Sequence, residues 1–446
     1  MLSARTAENP GKGGVRAGAA IDSPRRRTPS HPRDTRQEKP MSIRIEGAQV
    51  VLPDGIEETS VTLEEGRIAE IGSDARAETV LDARGQMLAP AMIDVHGDAF
   101  ERQLMPRPNV FFPVDAAILD TDRQLAGNGI ATAYHALTLS WEPGLRAVTA
   151  GRRFIETLHR LAPRLIAENR VQLRWETYAE DALPLIEEML EGPLTPSLAF
   201  NDHLSMTMRG FEVPIQERAF EFSPAFVVAD PDDPRMLGRI DTKAKRSGLD
   251  QGAFLDLMKR TWATRPEIPA RIAAIAETAR KHGAPMLSHD DTQHETRNYF
   301  RGIGARISEF PMSVDVAKAA KAAGDLVIFG APNVMRGGSH IGSPGAAEMV
   351  EAGLCDILAS DYFYPAMLAA VARLHHEKRA PLAQLWKLVT SGPATAMGLS
   401  DRGQIAQGLR ADLILVDWPE AAQGPATPAV TRMFRSGRQV YVGQSA

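Results

Sequence analysis

The spacing of hydrophobic positions divides the chain into three textures. From Ile43 to Pro90, short runs alternate apolar and polar residues between tight turns, as in IRIEGAQVVLPDG, SVTLEEGRIAEIG and TVLDARGQMLAP. That pattern predicts β-strands with one buried face. It returns near the C-terminus in GQIAQGLRADLILVD and VTRMFRSGRQVYVG. Two strand-rich ends can pair across whatever lies between them, so residues 42–90 plus 396–446 are expected to form one small β-sandwich domain. Over residues 91–395 the pattern changes to short apolar runs separated by helical stretches: AMIDVH, GIATAYHAL, VQLRWET, PSLAFNDH, PMLSHDD, RISEF, DLVIFGAP and CDILASDYF. Eight such runs predict an α/β fold, a (β/α)8 TIM barrel. A ninth run, PAFVVAD at 224–230, exceeds the count and is assigned to an insertion.

Residues 1–41 show no apolar periodicity. They are rich in Arg, Pro, Ser and Gly, include the run Arg25, Arg26, Arg27, and contain no apolar segment of a secretory signal. They read as a disordered extension ahead of a start near Met41, with no part in the fold.

Composition narrows the chemistry. With 446 residues, 43% hydrophobic, 24% charged and a net charge of −5, the chain has room for one large and one small domain and no electrostatic case for nucleic acid. No run of about 18 apolar residues is present, so no membrane span is expected. The single cysteine, Cys355, rules out an intrachain disulfide and a Cys-rich metal site, which fits a cytoplasmic protein; it reads as core packing. Any metal must be held by His, Asp and Glu.

Those residue types recur where a barrel enzyme needs them, at the ends of the apolar runs. His96 and Asp98 follow AMIDV, Glu176 follows VQLRW, His203 follows AFND, His289 follows MLS and Asp361 follows DILAS. A lone His at a strand end is most often a hydrogen-bonded structural residue, and His135, His282, His294, His375 and His376 are read that way. The recurrence is what points to metal. Residues two apart on a strand share a face, so His96 and Asp98 can aim at one ion with Gly97 sparing room between them. Nitrogen and oxygen donors of this kind suit Zn2+, Mn2+ or Fe2+.

GAPNVMRGGSH at 330–340 forms a second group. Gly337 and Gly338 free the backbone to approach an anion, and Arg336, Ser339 and His340 supply donors, as in a phosphate cradle. Arg107, between Pro106 and Pro108, is a further candidate anion contact.

APAMIDVHGD and SGPATAMGLSDRGQIAQGLRADLILVD resemble the opening and closing motifs of the amidohydrolase superfamily, and the resemblance runs from about Met41 to the C-terminus. Within it, HGDAFERQLMPRP, FNDH, LSHDD, SEFPMS, GAPNVMRGGSH and CDILASDYFYPAML resemble the ribose methylphosphonate triphosphate diphosphatases of the carbon–phosphorus lyase pathway. The first motif departs from that family's usual form, with Gly97 in place of threonine and Ala99–Phe100 in place of asparagine–leucine. The resemblance implies two divalent ions, one on His96 and Asp98 and one on His203 and His289, with Glu176 bridging or standing where many relatives have a carboxylated lysine, and Asp361 completing the site and accepting a proton. It implies release of pyrophosphate from a phosphorylated sugar phosphonate by a metal-activated hydroxide attacking the α-phosphorus, and a homodimer as the default assembly. A cyclic-amide hydrolase or N-acyl deacetylase of the same superfamily uses the same ligands. A metal-free, non-enzymatic relative is the remaining alternative.

Overall fold

The computed structural model describes residues 42–74, 76–339, 341–419 and 427–443. The expected N-terminal extension, residues 1–41, lies outside them. The N-terminal strands are β1 (Ile43–Leu52), β2 (Gly55–Glu64), β3 (Arg67–Ile71), β4 (Thr79–Asp82) and β5 (Met87–Pro90). Then come β6 (Met92–Gly97), β7 (Ile130–Leu139), β8 (Glu168–Glu176), β9 (Ser197–Asn201), β10 (Met286–His289), β11 (Ile307–Glu309), β12 (Leu326–Gly330) and β13 (Ile357–Ala359). β14 (Leu413–Asp417), β15 (Ala429–Arg435) and β16 (Arg438–Val442) end the described chain.

β6 to β13 pair in chain order as parallel neighbours, and a parallel bridge between Gly97 and Asp361 joins the last to the first. The eight runs expected as barrel strands are these eight strands. PAFVVAD contributes only an isolated bridge, Val228 to Arg209, inside the long β9–β10 connection, which otherwise carries helices Arg235–Ser247, Gln251–Trp262 and Ile268–Lys281. Period-two alternation divides each wall. Ile93, Val95, Tyr134, Ala199, Leu287, Ile307, Ile328 and Ile357 fill the barrel interior, whereas Leu173, Trp175, Leu198 and Phe200 face the outer helices.

The two chain ends meet in one sheet of order β16–β15–β14–β5–β1–β2–β3, with β4 also pairing β1. Its central strands are apolar on both faces because both are covered. Leu88, Leu413, Leu415 and Phe434 pack inside the small domain, while Met87, Ala89, Ile414, Val416 and Met433 pack against the barrel's flank. Among the described residues no helix is long and apolar enough to cross a membrane.

Two charged clusters lock this arrangement. Fully buried Arg297 joins the ends of three strands: it donates to Asp291, to Ser288 and to the carbonyls of Ala305 and Ile307, and sits 3.3 Å from Asp325. At the junction with the small domain, Glu168 at the start of β8 pairs with Arg170 (2.7 Å), Arg410 (2.6 Å) and Arg402 (2.9 Å). Burial alone would raise the Glu168 carboxyl, but the three guanidiniums together hold it down at about 2, against an ordinary 4.5. A depressed folded-state pKa stabilises the fold fully above the unfolded value and loses that contribution as pH falls through the folded one. Glu168→Gln should therefore cost about 2 kcal/mol at neutral pH, the scale of a charge-assisted hydrogen bond. The gap between the two proteins in denaturant unfolding should hold above pH 5 and close between pH 4.5 and pH 2.

Candidate metal and anion site

An irregularity in β6 starts the site. Asp94 and Gly97 lie opposite Ala133 and His135 of β7, so β6 carries one residue more than its partner and its alternation shifts. The shift brings His96 to the interior after Val95. Gly97 then passes so close to the last strand that a Cβ there would lie 2.5 Å from the Asp94 carboxylate and 2.9 Å from both Ser360 and Tyr364. Barrel closure runs through the same residues: the Asp361 N–H donates to the His96 carbonyl and the Asp98 N–H to the Asp361 carbonyl, both at 2.8 Å.

On β8 the polar residues Gln172, Arg174 and Glu176 alternate with apolar Val171, Leu173 and Trp175, and each reaches a partner at the barrel mouth. Gln172 donates to Glu309 at 2.8 Å and Arg174 to Asp98 at 3.1 Å. Glu176 accepts from the His203 ring at 2.5 Å and from the His203 backbone N–H at 3.1 Å. Glu309, fully buried at the end of β11, engages the Nδ1 atoms of His96 (2.8 Å) and His289 (2.7 Å). All three imidazoles are thus gripped at Nδ1 by buried glutamates, the arrangement that leaves Nε2 for a metal.

Backbone strain sits at the same level. Asp290, Phe310 and Asp361, each just beyond a barrel strand, have φ of 56°, 54° and 54°. For phenylalanine this is a costly conformation, and it sets the Phe310 ring edge-on to His96 and His289, with centroids 5.0 and 5.4 Å away.

Ligand-type atoms gather into sets whose members lie within 4.8 Å of one another: His96, Asp98 and Asp361; His203, His289 and Asp290; and His96, His289 and Glu309. The first two are mixed nitrogen and oxygen donor sets that fit divalent cations. Burial, and next the Asp98 carboxylate, raises the Asp361 carboxyl to about 6. Burial opposes ionisation of Glu309 and Glu176 too, but His96 and His289 hold the first, and His203 and Lys243 the second, well below the usual carboxylate range.

A cavity of about 170 Å3 opens over this cluster, lined among others by His96, Arg174, His289, Asp361, Arg336, Gly338 and Ser339. The Gly-rich loop reaches it because helix Ala331–Arg336 starts with Pro332 in its first turn and stops at Gly337, whose φ of 77° suits glycine. Asn333 pins the loop, donating to the Pro344 carbonyl (3.1 Å) and accepting from the Ala346 N–H (2.9 Å). Across the mouth, Arg218 of the β9–β10 insertion donates to the Asp290 carbonyl at 2.9 Å, and Gln216 donates to the Ile341 carbonyl.

The structure therefore brings together His96, Asp98, His203, His289 and Asp361, and places Arg336, Gly338 and Ser339 beside them. Glu176 belongs to neither mixed donor set, since its carboxylate is turned onto His203. Gly337 faces the far side of the loop, among the residues around Arg373 and Glu377. Arg107 is exposed and does not line the cavity. His340 lies outside the described residues. Sequence reasoning did not single out Glu309, Asp290 or Arg174. Each carried a legible signal: Glu309 ends an apolar run as His289 does, Asp290 follows a proposed ligand, and Arg174 lies midway in a period-two polar series. His135 packs edge-on against Phe100 and Phe154 outside the barrel, and burial lowers it to about 4, as for a core histidine.

If Glu309 orients two ligands, Glu309→Gln should weaken divalent-metal binding by about 10–100-fold while leaving the fold intact. Calorimetric metal titration alongside a thermal melt checks this, and unchanged affinity would remove Glu309 from the site.

The sequence profile of the amidohydrolase family matches residues 232–441. The chain is 30% identical over 403 residues to the alpha-D-ribose 1-methylphosphonate 5-triphosphate diphosphatase of Escherichia coli (strain K12), covering 89% of this chain and 100% of that protein. Among solved structures, molinate hydrolase superimposes with a TM-score of 0.56 at 15% identity, covering 90% of this chain and 95% of that one. Phenylurea hydrolase B superimposes at 0.55 and 14% identity, covering 89% and 96%. At such identities these two show the fold alone. With its barrel, its two-ended sheet and a relative of this identity along its whole length, the chain belongs to the amidohydrolase superfamily.

Proposed function

We propose that this chain hydrolyses the 5-triphosphate of ribose 1-methylphosphonate, releasing pyrophosphate and leaving the 5-phosphate. The carrying observation is that one cavity is lined by both the His–Asp cluster and the Gly-rich loop of Arg336, Gly338 and Ser339. The E. coli relative, named for that reaction, adds support. An arginine and a glycine-rich loop at that place offer charge and N–H donors that a phosphate chain uses and a neutral amide does not.

In this reading His96, Asp98 and Asp361 hold one divalent cation, and His203, His289 and Asp290 hold another. Bound cations supply Lewis acidity, easing deprotonation of water and neutralising phosphoryl oxygens. The chain's own residues do the rest. Glu309 and Glu176 fix the imidazole orientations, and Phe310 keeps solvent from one flank of His96 and His289. Water oxygen bonds to the α-phosphorus, the bond from that phosphorus to its bridging oxygen breaks, and the electron pair leaves with pyrophosphate. Asp361, beside that water, accepts the proton that it loses. Arg336, Gly338 and Ser339 bind the β- and γ-phosphoryl groups that depart as pyrophosphate.

Phosphorus NMR of the purified, Mn2+-loaded protein with the ribose 1-methylphosphonate 5-triphosphate should show pyrophosphate, abolished by chelator. Asp361→Asn should lower kcat by about 100-fold or more, at or above the lower end of the range for a general base. Absence of any phosphorus product, with turnover of dihydropyrimidines or N-acyl amino acids instead, would replace this reading with amide hydrolysis.

A further inference from the structure

Arg174 is a cation built into the barrel wall, and the reading above leaves it without a task. It projects from β8 into the cavity that His96, His289 and Asp361 line, with 6% of its side chain exposed. Nη1 donates to Asp98 Oδ2 at 3.1 Å, while Nε is buried with no hydrogen-bond partner among the described residues. A guanidinium taken out of water is costly unless its donors are used, so a nearly buried arginine that lines a cavity and spends one hydrogen bond on Asp98 marks a place for an acceptor. A cation on His96, Asp98 and Asp361 would share Asp98 with this guanidinium. Positive groups so placed favour an anion that both can touch.

Depth distinguishes Arg174 from Arg336. Arg336 is exposed at the end of a short helix, at the rim, whereas Arg174 stands on a strand beside the ligand cluster. We propose, resting on the reading of the site given above, that Arg174 binds the non-bridging oxygens of the phosphoryl group under attack, deep in the cavity, and leaves the outgoing pyrophosphate to the loop. Negative charge on those oxygens must be held while the phosphorus changes partners, so a donor fixed there acts on kcat. Arg336 acts chiefly on binding. The planar, forked guanidinium matters as well as the charge, so lysine is a poor substitute.

The test compares wild type with Arg174→Lys, Arg174→Gln and Arg336→Ala as full-length, Mn2+-loaded proteins, with metal content and melting temperature measured for each. Arg174→Lys should lower kcat on the 5-triphosphate by about 100-fold with little change in KM, and Arg336→Ala should raise KM by about tenfold with kcat largely kept. Inorganic phosphate, titrated calorimetrically as a probe of the deep position, should bind about tenfold more weakly to Arg174→Gln and normally to Arg336→Ala. Unchanged kcat and phosphate affinity in the Arg174 variants would overturn the proposal. So would a kcat loss that merely follows lost metal, since Arg174 would then only position Asp98. Wild type that binds phosphate through Arg174 yet releases no pyrophosphate from the triphosphate would sink the proposed reaction and leave the anion-binding role of Arg174 standing.

Discussion

Glu309 is the constraint on which the site depends. Its carboxylate touches Nδ1 of His96 on the first barrel strand and of His289 on the fifth, and takes a third hydrogen bond from Gln172 on the third. A buried carboxylate with no partners would be prohibitively unfavourable, and one with three is held rigidly. Three walls of the barrel are thus referred to a single anion. The rings cannot rotate without abandoning it, which fixes the tautomer each histidine presents and the face it shows to the cavity. Glu176 repeats the device for His203 at smaller scale.

Closure of the barrel and construction of the site are one event. The hydrogen bonds that join the last strand to the first are made by His96, Asp98 and Asp361, and Gly97 is the point of closest approach. Placing ligands at a seam keeps a metal's donors, drawn from distant parts of the sequence, in register through backbone bonds rather than through long side chains. Positive φ at Asp290, Phe310 and Asp361 is the local cost, confined to the level where the strands end. Arg297 and its carboxylates tie neighbouring strands together away from the cavity.

Much of this was legible because burial imposes periodicity. The eight apolar runs had to become strands, and strand ends had to present their polar residues at one mouth. The two-ended sheet was readable from repeated alternation at both termini. Less legible was anything decided by contacts between strands. Glu176 ends an apolar run as His289 does, but only the register of β8 against β9, which sets it opposite Asn201, brings its carboxylate onto the His203 ring. The extra residue in β6 that turns His96 inward leaves no compositional trace. Arg107 offers the opposite lesson: its place between two prolines said nothing about distance from the site, and the residue stands in solvent.

The charge around the cavity bears on what it can hold. Asp98, Asp290, Asp361, Glu176 and Glu309 surround the ligand cluster, and without cations their mutual repulsion would work against the fold. The pairings with Arg174, His96, His203 and His289 relieve part of that load, and divalent cations would relieve the rest. Arg174 and Arg336 also line the cavity, one deep and one at the rim, and a neutral amide offers a counter-charge to neither. A substrate with negative charge distributed along its length would meet both, so under the proposed function the two arginines of this cavity, more than the donor sets common to metal hydrolases, are what would separate a triphosphate from an amide.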